Sequence, residues 1–239
     1  MLSVDLHTHS FFSACGIHTH LEILERAKIL GMAAVAITDH GPALSPRTTE
    51  PFFDRLNQPV AGIRLLKGME CNLVGNEGEI DLPKKRLPYL DVVLLGIHPN
   101  TEKGLGRDAY TDMLLRAIEK NETVDILTHL NDAHYPVNFE KVISAATARG
   151  IVVELNNSKT LLQRIDPSVT RALVETAFHC GARMAITSDM HAIEELGLDS
   201  SVQPYLDEIG FPSERVVSST AARAFAFIEE RRALKVSQG

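Results

Sequence analysis

Tryptophan is missing from this 239-residue chain, and aromatic residues make up only 5% of it. So few flat side chains leave little for stacking on nucleic-acid bases. Basic residues are also outnumbered. Against 31 Asp and Glu stand 24 Lys and Arg, a formal charge of −7 that argues against a broad polyanion-binding surface. A local basic pocket for a phosphorylated small molecule stays open, because bound metals would add positive charge outside that count. The three cysteines, Cys15, Cys71 and Cys180, are odd in number and far apart. A disulfide framework is therefore not expected, and a reducing cytoplasm is the default. No apolar run approaches the roughly 18 residues that span a bilayer, and the opening Met1–Asp5 lacks the basic and apolar segments of a secretory leader. Two motifs are absent as well. Without a Gly-x-Gly-x-x-Gly turn after the first strand there is no usual dinucleotide site, and without Gly-x-Ser-x-Gly there is no serine elbow.

What is present is a soluble composition, 44% hydrophobic, and a recurring strand-then-helix pattern with no repeat or long linker. Strands are expected at Ser3–His7, Ala33–Thr38, Ile63–Cys71, Asp91–Gly96, Val124–Thr128, Ile151–Leu155 and Arg183–Thr187, with a last one near Arg215–Val217. Helices are expected at Leu21–Leu30 (ended by Gly31), Asp108–Lys120, Asn138–Arg149, Pro167–Cys180 and from Ala221 onward. Asn76-Glu77-Gly78 suggests the turn of a short hairpin. Continuous apolar strands suit a parallel sheet covered by helices. Roughly seven such units point to a single α/β barrel over residues 1–239, with any active site at the C-terminal ends of its strands.

Those strand ends carry His7, His9, His40, Glu70, His98, His129, Asp189 and His191. Side chains two apart on an extended chain share a face, so His7 and His9 can grip one ion. Asp189 and His191 repeat that spacing near the end of the chain, and first and late strands become neighbours when a barrel closes. Asp189 can then join His7 and His9 while His191 reaches a second ion. His40 follows an apolar strand directly, and Asp39 is positioned to steady a ligand histidine from behind. Glu70 can bridge two cations, and His98 and His129 can share a third with it. Glu154 and Asn156 read as supporting or substrate-facing groups, whereas His20, His134 and His179 read as ordinary histidines.

The ordered segments DLHTHS, ITDHG, GMECN, LLGIHPN, ILTHL, VELNNS and TSDMH resemble the PHP (polymerase and histidinol phosphatase) family, and specifically its stand-alone, YcdX-like bacterial phosphatase branch. The resemblance runs from Asp5 to at least His191. It implies a distorted (β/α)7 TIM-like barrel and a trinuclear site for zinc or manganese, with iron a further candidate. Carried over by position, His7, His9, Glu70 and Asp189 match ligands of the first metal. His40 and His191 match the second, and Glu70 (bridging), His98 and His129 the third. One position departs: the family's histidine after DLHTHS, a ligand of the second metal, aligns with Cys15. Either Cys15 serves as a thiolate, or the loop shifts to present His18, and the reading leans to His18.

The expected chemistry is metal-dependent hydrolysis of a phosphate ester, with Asp189 and His191 as the candidate catalytic groups and Asp189 or a metal-free imidazole shuttling protons. Arg47, Lys84, Lys85 and Arg86 are loop cations that could meet a phosphate. A small monoester is favoured over a diester or nucleic acid, given the charge and the lack of aromatics. An amidohydrolase acting on C–N bonds and a non-catalytic, metal-stabilised module are the rival classes. No membrane partner is expected, and a homo-oligomer remains open.

Overall fold

In the computed structural model, which describes residues 1–45, 47–56 and 60–236, seven parallel strands form a nearly closed barrel. They are β1 (Val4–Asp5), β2 (Ala34–Ile37), β3 (Arg64–Val74), β5 (Val92–Gly96), β6 (Ile126–Leu127), β7 (Val152–Asn156) and β8 (Met184–Thr187), in that spatial order. The short β4 (Glu79–Ile80) pairs antiparallel with β3 through Leu73 opposite Ile80, which is the hairpin expected at Asn76–Gly78. Gly75 and Gly78 hold positive φ, 71° and 83°, in that turn.

Alternation along the strands sorts two cores. Val4, Ala34, Ala36, Leu66, Val92, Leu94, Ile126, Val152 and Ala185 come from every strand and pack together as the barrel interior. Their neighbours Val35 and Ile37 face α1 (His20–Ile29), while Val93, Leu95 and Val153 face α3 (Arg107–Lys120), α4 (Phe139–Ala148) and α6 (Pro167–His179). Three of these four helices start where a side chain satisfies free N–H groups, whereas α3 starts at Gly106 without one. Thr19 and Glu22 form a capping box on α1, Asn138 caps α4 and Asp166 caps α6. Gly31, at φ 73°, ends α1 where expected.

The bottom of the barrel is closed by α8 (Ala221–Val236), whose Ala224, Phe227 and Ile228 join the interior core. Its Arg231 and Lys235 both reach the buried Asp125 carboxylate, at 2.8 and 2.5 Å. The last expected strand, near Arg215–Val217, is not one. Ser213–Arg215 is a 3-10 turn behind Pro212, and only Val216 makes a single parallel bridge to Met184. Arg215 spends its guanidinium on the carbonyls of Ala177, Phe178 and Ala182 instead of extending a ladder. The seam between β1 and β8 is thin too: one bridge, Thr8 to Met190, and the Asp5 carboxylate accepting from Ser188 N at 3.1 Å. Among the described residues no helix is long and apolar enough to cross a membrane.

Candidate metal centre

Inward strand phase places most of the chemistry. Continuing from the interior residues Ala36, Leu66, Leu94, Val152 and Ala185, every second residue leads to His40, Glu70, His98, Glu154 and Asp189. The exceptions leave regular strand first. β1 stops at Asp5, before His7 and His9, and β6 stops at Leu127, after which His129 takes φ 35°. Asp189 also has positive φ, 51°. Such backbone is costly for residues with a side chain, and a functional site is where it is tolerated.

Glu70 is the hub. Its Oε1 lies 3.0 Å from His129 Nε2, 3.1 Å from His98 Nε2 and 3.4 Å from His7 Nε2. Its Oε2 lies 2.9 Å from His40 Nδ1 and 3.4 Å from His9 Nε2. Asp189 Oδ1 faces His9 and His7 at 3.2 and 3.4 Å, and His191 stacks on His9 with centroids 4.6 Å apart. The group is buried: Glu70, His7 and His9 are 1% exposed or less. Gly96 makes room for it, since a Cβ there would collide with Thr128 Oγ1 and with the His98 and His129 rings.

Hydrogen bonds behind the rings fix which nitrogen faces inward. Glu154 Oε1 takes the His7 Nδ1 proton at 2.5 Å, while its Oε2 accepts from His129 N at 2.7 Å. Ser13 Oγ donates to Asp39 at 2.7 Å and accepts from His40 N, so it must also accept from His9 Nδ1, at 3.0 Å. In the neutral rings both Nε2 atoms then present lone pairs, yet they sit 3.1 Å apart and beside two carboxylates. Lone pairs crowded this way repel unless a cation lies among them. A further buried nitrogen, His98 Nδ1, has no hydrogen-bond partner, and His40 Nδ1 has the Glu70 carboxylate beside it. Imidazoles and carboxylates with such orphaned atoms fit divalent transition metals. Among the described residues three sets come close enough to hold an ion: His7, His9 and Asp189; His40, Glu70 and His98; and His9, Cys15 and His40.

The electrostatics agree. Burial opposes charge on Glu70 and Asp189, but the surrounding imidazoles outweigh it and hold both carboxyls well below their usual range. Burial likewise opposes the His40 and His191 imidazolium forms. Glu70 with Cys15, and Cys15 with Asp189, nevertheless lift them to about 10 and about 9. His98, desolvated and close to other imidazoles, falls to about 4. Cys15 drops to about 6 despite partial burial, through hydrogen bonds with His191 and His40. A pocket that draws protons this way draws metal cations for the same reason.

Several expected residues are elsewhere. His18 is outside the cluster, with its Nδ1 turned toward Glu22 at 4.0 Å, whereas Cys15 lines the cleft. Ile17 N bonds His191 O, and that contact sets the loop's register. Asp39 steadies His9 through Ser13, and also binds Ser10, rather than backing His40. Lys85 and Arg86 pair with Glu50 and Arg47 lies over Phe11; with Lys84, none of them lines the cleft. Two cations absent from the sequence reading do line it: Lys159 and Arg164, in and after α5 (Asn157–Leu161). They follow the VELNN strand, and their signal was position just beyond it, at the C-terminal rim. The cleft they share with Leu162 and the metal-binding cluster holds about 420 Å³.

The sequence model of the PHP domain matches residues 5–158. A probable phosphatase of Caldanaerobacter subterraneus subsp. tengcongensis is 31% identical over 236 residues, covering 97% of this chain and 92% of its own. Among solved structures, a histidinol phosphate phosphatase of Lactococcus lactis, complexed with zinc, L-histidinol and phosphate, superposes with a TM-score of 0.63. The pair share 15% identity over 87% of this chain and 94% of the other. A chain of archaeal ribonuclease P with mature tRNA also scores 0.63, at 14% identity, over 97% of this chain and 92% of its own. At such identities the likeness is one of fold, and the fold is compatible with unrelated activities.

Proposed function

The chain belongs to the PHP domain family, and from that premise we propose that it is a metal-dependent phosphatase acting on a small phosphate monoester. The observation that carries the reading is the convergence of buried imidazoles on Glu70 and Asp189 beneath a cleft with two cations at its mouth. About 420 Å³ suits a small molecule, and Lys159 and Arg164 suit its phosphate. Up to three ions, zinc or manganese with iron a further candidate, would be held by His7, His9 and Asp189, by Glu70 with His98 and His129, and by His40 with His191. Ions held there supply charge for phosphoryl oxygens and acidify water so that hydroxide is available near neutral pH.

The remaining work falls to the protein. Asn156 donates to Asp189 Oδ2 at 2.8 Å and leaves Oδ1 facing the cluster, where it takes the proton of the attacking water. His191, at the cleft and tied by Nδ1 to the Asp189 carbonyl at 2.8 Å, keeps its Nε2 for an ion, and Asp189 passes the proton it took on to the leaving oxygen. Lys159, held by Asp132 at 3.1 Å, orients the ester. What supports treating residues 1–239 as a single domain is that Asp189 and His191 lie beyond the matched segment 5–158 yet face His7 and His9.

The test is hydrolysis of matched aryl phosphate monoesters and diesters by protein of measured metal content. Monoester preference is expected and would justify screening phosphorylated metabolites, histidinol phosphate among them. Diester preference would move the assignment to a phosphodiesterase. Inactivity on both by fully loaded protein would favour a C–N hydrolase or a non-catalytic metal module.

A further inference from the structure

We infer that Cys15 is a thiolate ligand, and that with His40 and His191 it makes one metal position of this site selective for a thiophilic ion. The inference rests on the metal-dependent reading above and adds to it that the bound ions are unequal.

Cys15 does not hang free at the cleft mouth. On its N-terminal side Ser13 is tied to Asp39, to His9 Nδ1 and to His40 N. On its C-terminal side Ile17 N bonds His191 O at 3.3 Å. Between them Gly16 runs so close to the Ser10 backbone that a Cβ would overlap it. The loop is thus pinned to the residues bearing the imidazoles, with Cys15 at its centre. Its sulfur lies within 4.8 Å of ligand nitrogens of His9 and His40. A second observation points to the same place: His9 is 1% exposed, and with its Nδ1 committed to Ser13 it turns Nε2 into the cluster. A sulfur among imidazoles is a donor set for zinc or cobalt(II), whereas the positions around Glu70 and Asp189 offer oxygen and nitrogen, which manganese also accepts. On binding, the thiol gives its proton to solvent and the sulfur donates an electron pair to the ion; nothing is oxidised or reduced.

The experiment strips the full-length protein with a chelator and titrates it with cobalt(II), reading near-ultraviolet thiolate-to-metal charge transfer and bound equivalents together. The wild-type protein should show the band. Cys15→Ser should lose it along with one equivalent of cobalt. Cys15→His should regain that equivalent without the band, which a merely structural cysteine would not do. His18→Ala should keep band and stoichiometry. In competition, excess manganese should leave one zinc in place in the wild type and displace it in Cys15→His.

Full cobalt loading with no band, in a protein that still cleaves a phosphate monoester, would overturn the inference and leave the phosphatase reading standing. A band that persists in Cys15→Ser would overturn it as well. A band in wild type that vanishes in Cys15→Ser, in a protein inactive on all phosphate esters, would support the thiolate and sink the phosphatase. Failure of folded wild-type protein to bind cobalt or zinc would overturn both.

Discussion

Asp189 carries the clearest single-residue consequence. It sits at φ 51°, where asparagine is tolerated well, so Asp189→Asn should leave the barrel folded. Its carboxylate is held ionised by His7, His9 and His191 against the cost of burial. Neutralising it should lower kcat by roughly 10²–10³-fold, the range for losing one preorganised charge-stabilising group. A kcat within a factor of two of wild type, at equal metal content, would remove Asp189 from the site. Glu154→Gln acts one step further back, weakening the hydrogen bond that fixes His7 Nδ1. Metal affinity or turnover should fall by roughly 10–100-fold, the usual cost of disturbing such a partner; titration of the stripped variant with zinc reads it, and wild-type affinity would show that Glu154 does not orient His7. These residues were legible in the sequence because inward strand phase and ligand chemistry coincide in them. Cys15 against His18 was not, because loop register depends on contacts such as Ile17 with His191, which lie 174 positions apart (191 − 17). Lys159 and Arg164 were missed for a related reason: a cation in a five-residue helix or in the loop after it has no periodicity to mark it.

Strand ends do more than carry ligands; they also clear space for them. Gly96 ends β5, and a methyl group there would collide with the rings of His98 and His129 and with Thr128, which donates to Glu70 at 3.0 Å. Gly96→Ala should therefore fold but hold less metal at the Glu70, His98 and His129 position, with stability reduced by about 1–3 kcal/mol as in other overpacked sites. Metal content by elemental analysis, alongside thermal unfolding, checks this. Unchanged values for both would mean that the rings move aside freely. Most of the strand and helix order was readable, since the apolar runs and caps are local signals. The failures came where tertiary hydrogen bonds decide. Arg215–Val217 has β-branched residues but meets Met184 at one point only, and α5 is anchored by Ser158 N donating to Ser188 O across the rim. Neither contact leaves a trace in composition.

Barrel closure joins the two ends of the chain, and the metal centre straddles that joint. His7 and His9 follow β1 while Asp189 and His191 follow β8, and the chain just beyond the two strands meets in the Thr8–Met190 bridge. Ions shared by these residues would cross-link a seam that backbone pairing secures weakly. Chelation should therefore lower the unfolding temperature and speed amide exchange at His9 and Ser188 more than in the long β3–β5 ladder. Metal at a hundred times its dissociation constant would add about 2.7 kcal/mol. The size of that gap should depend on pH. In the metal-free protein His40 and His191 titrate at about 10 and about 9, above the ordinary 6.5. Their contribution to stability is whole below 6.5 and is lost as pH rises through 9 and 10. His98, lowered to about 4, works in the opposite sense, contributing above 6.5 and losing that contribution as pH falls. Metal-free protein should thus be most stable near pH 6.5 and weaken on the alkaline side. Metal binding needs the imidazoles deprotonated, so affinity climbs over that same alkaline window. The difference in unfolding temperature between loaded and stripped protein should accordingly widen from pH 6.5 to 9. A difference that stays flat or narrows would mean that protons and metal ions do not compete for these nitrogens, and the centre would lie elsewhere.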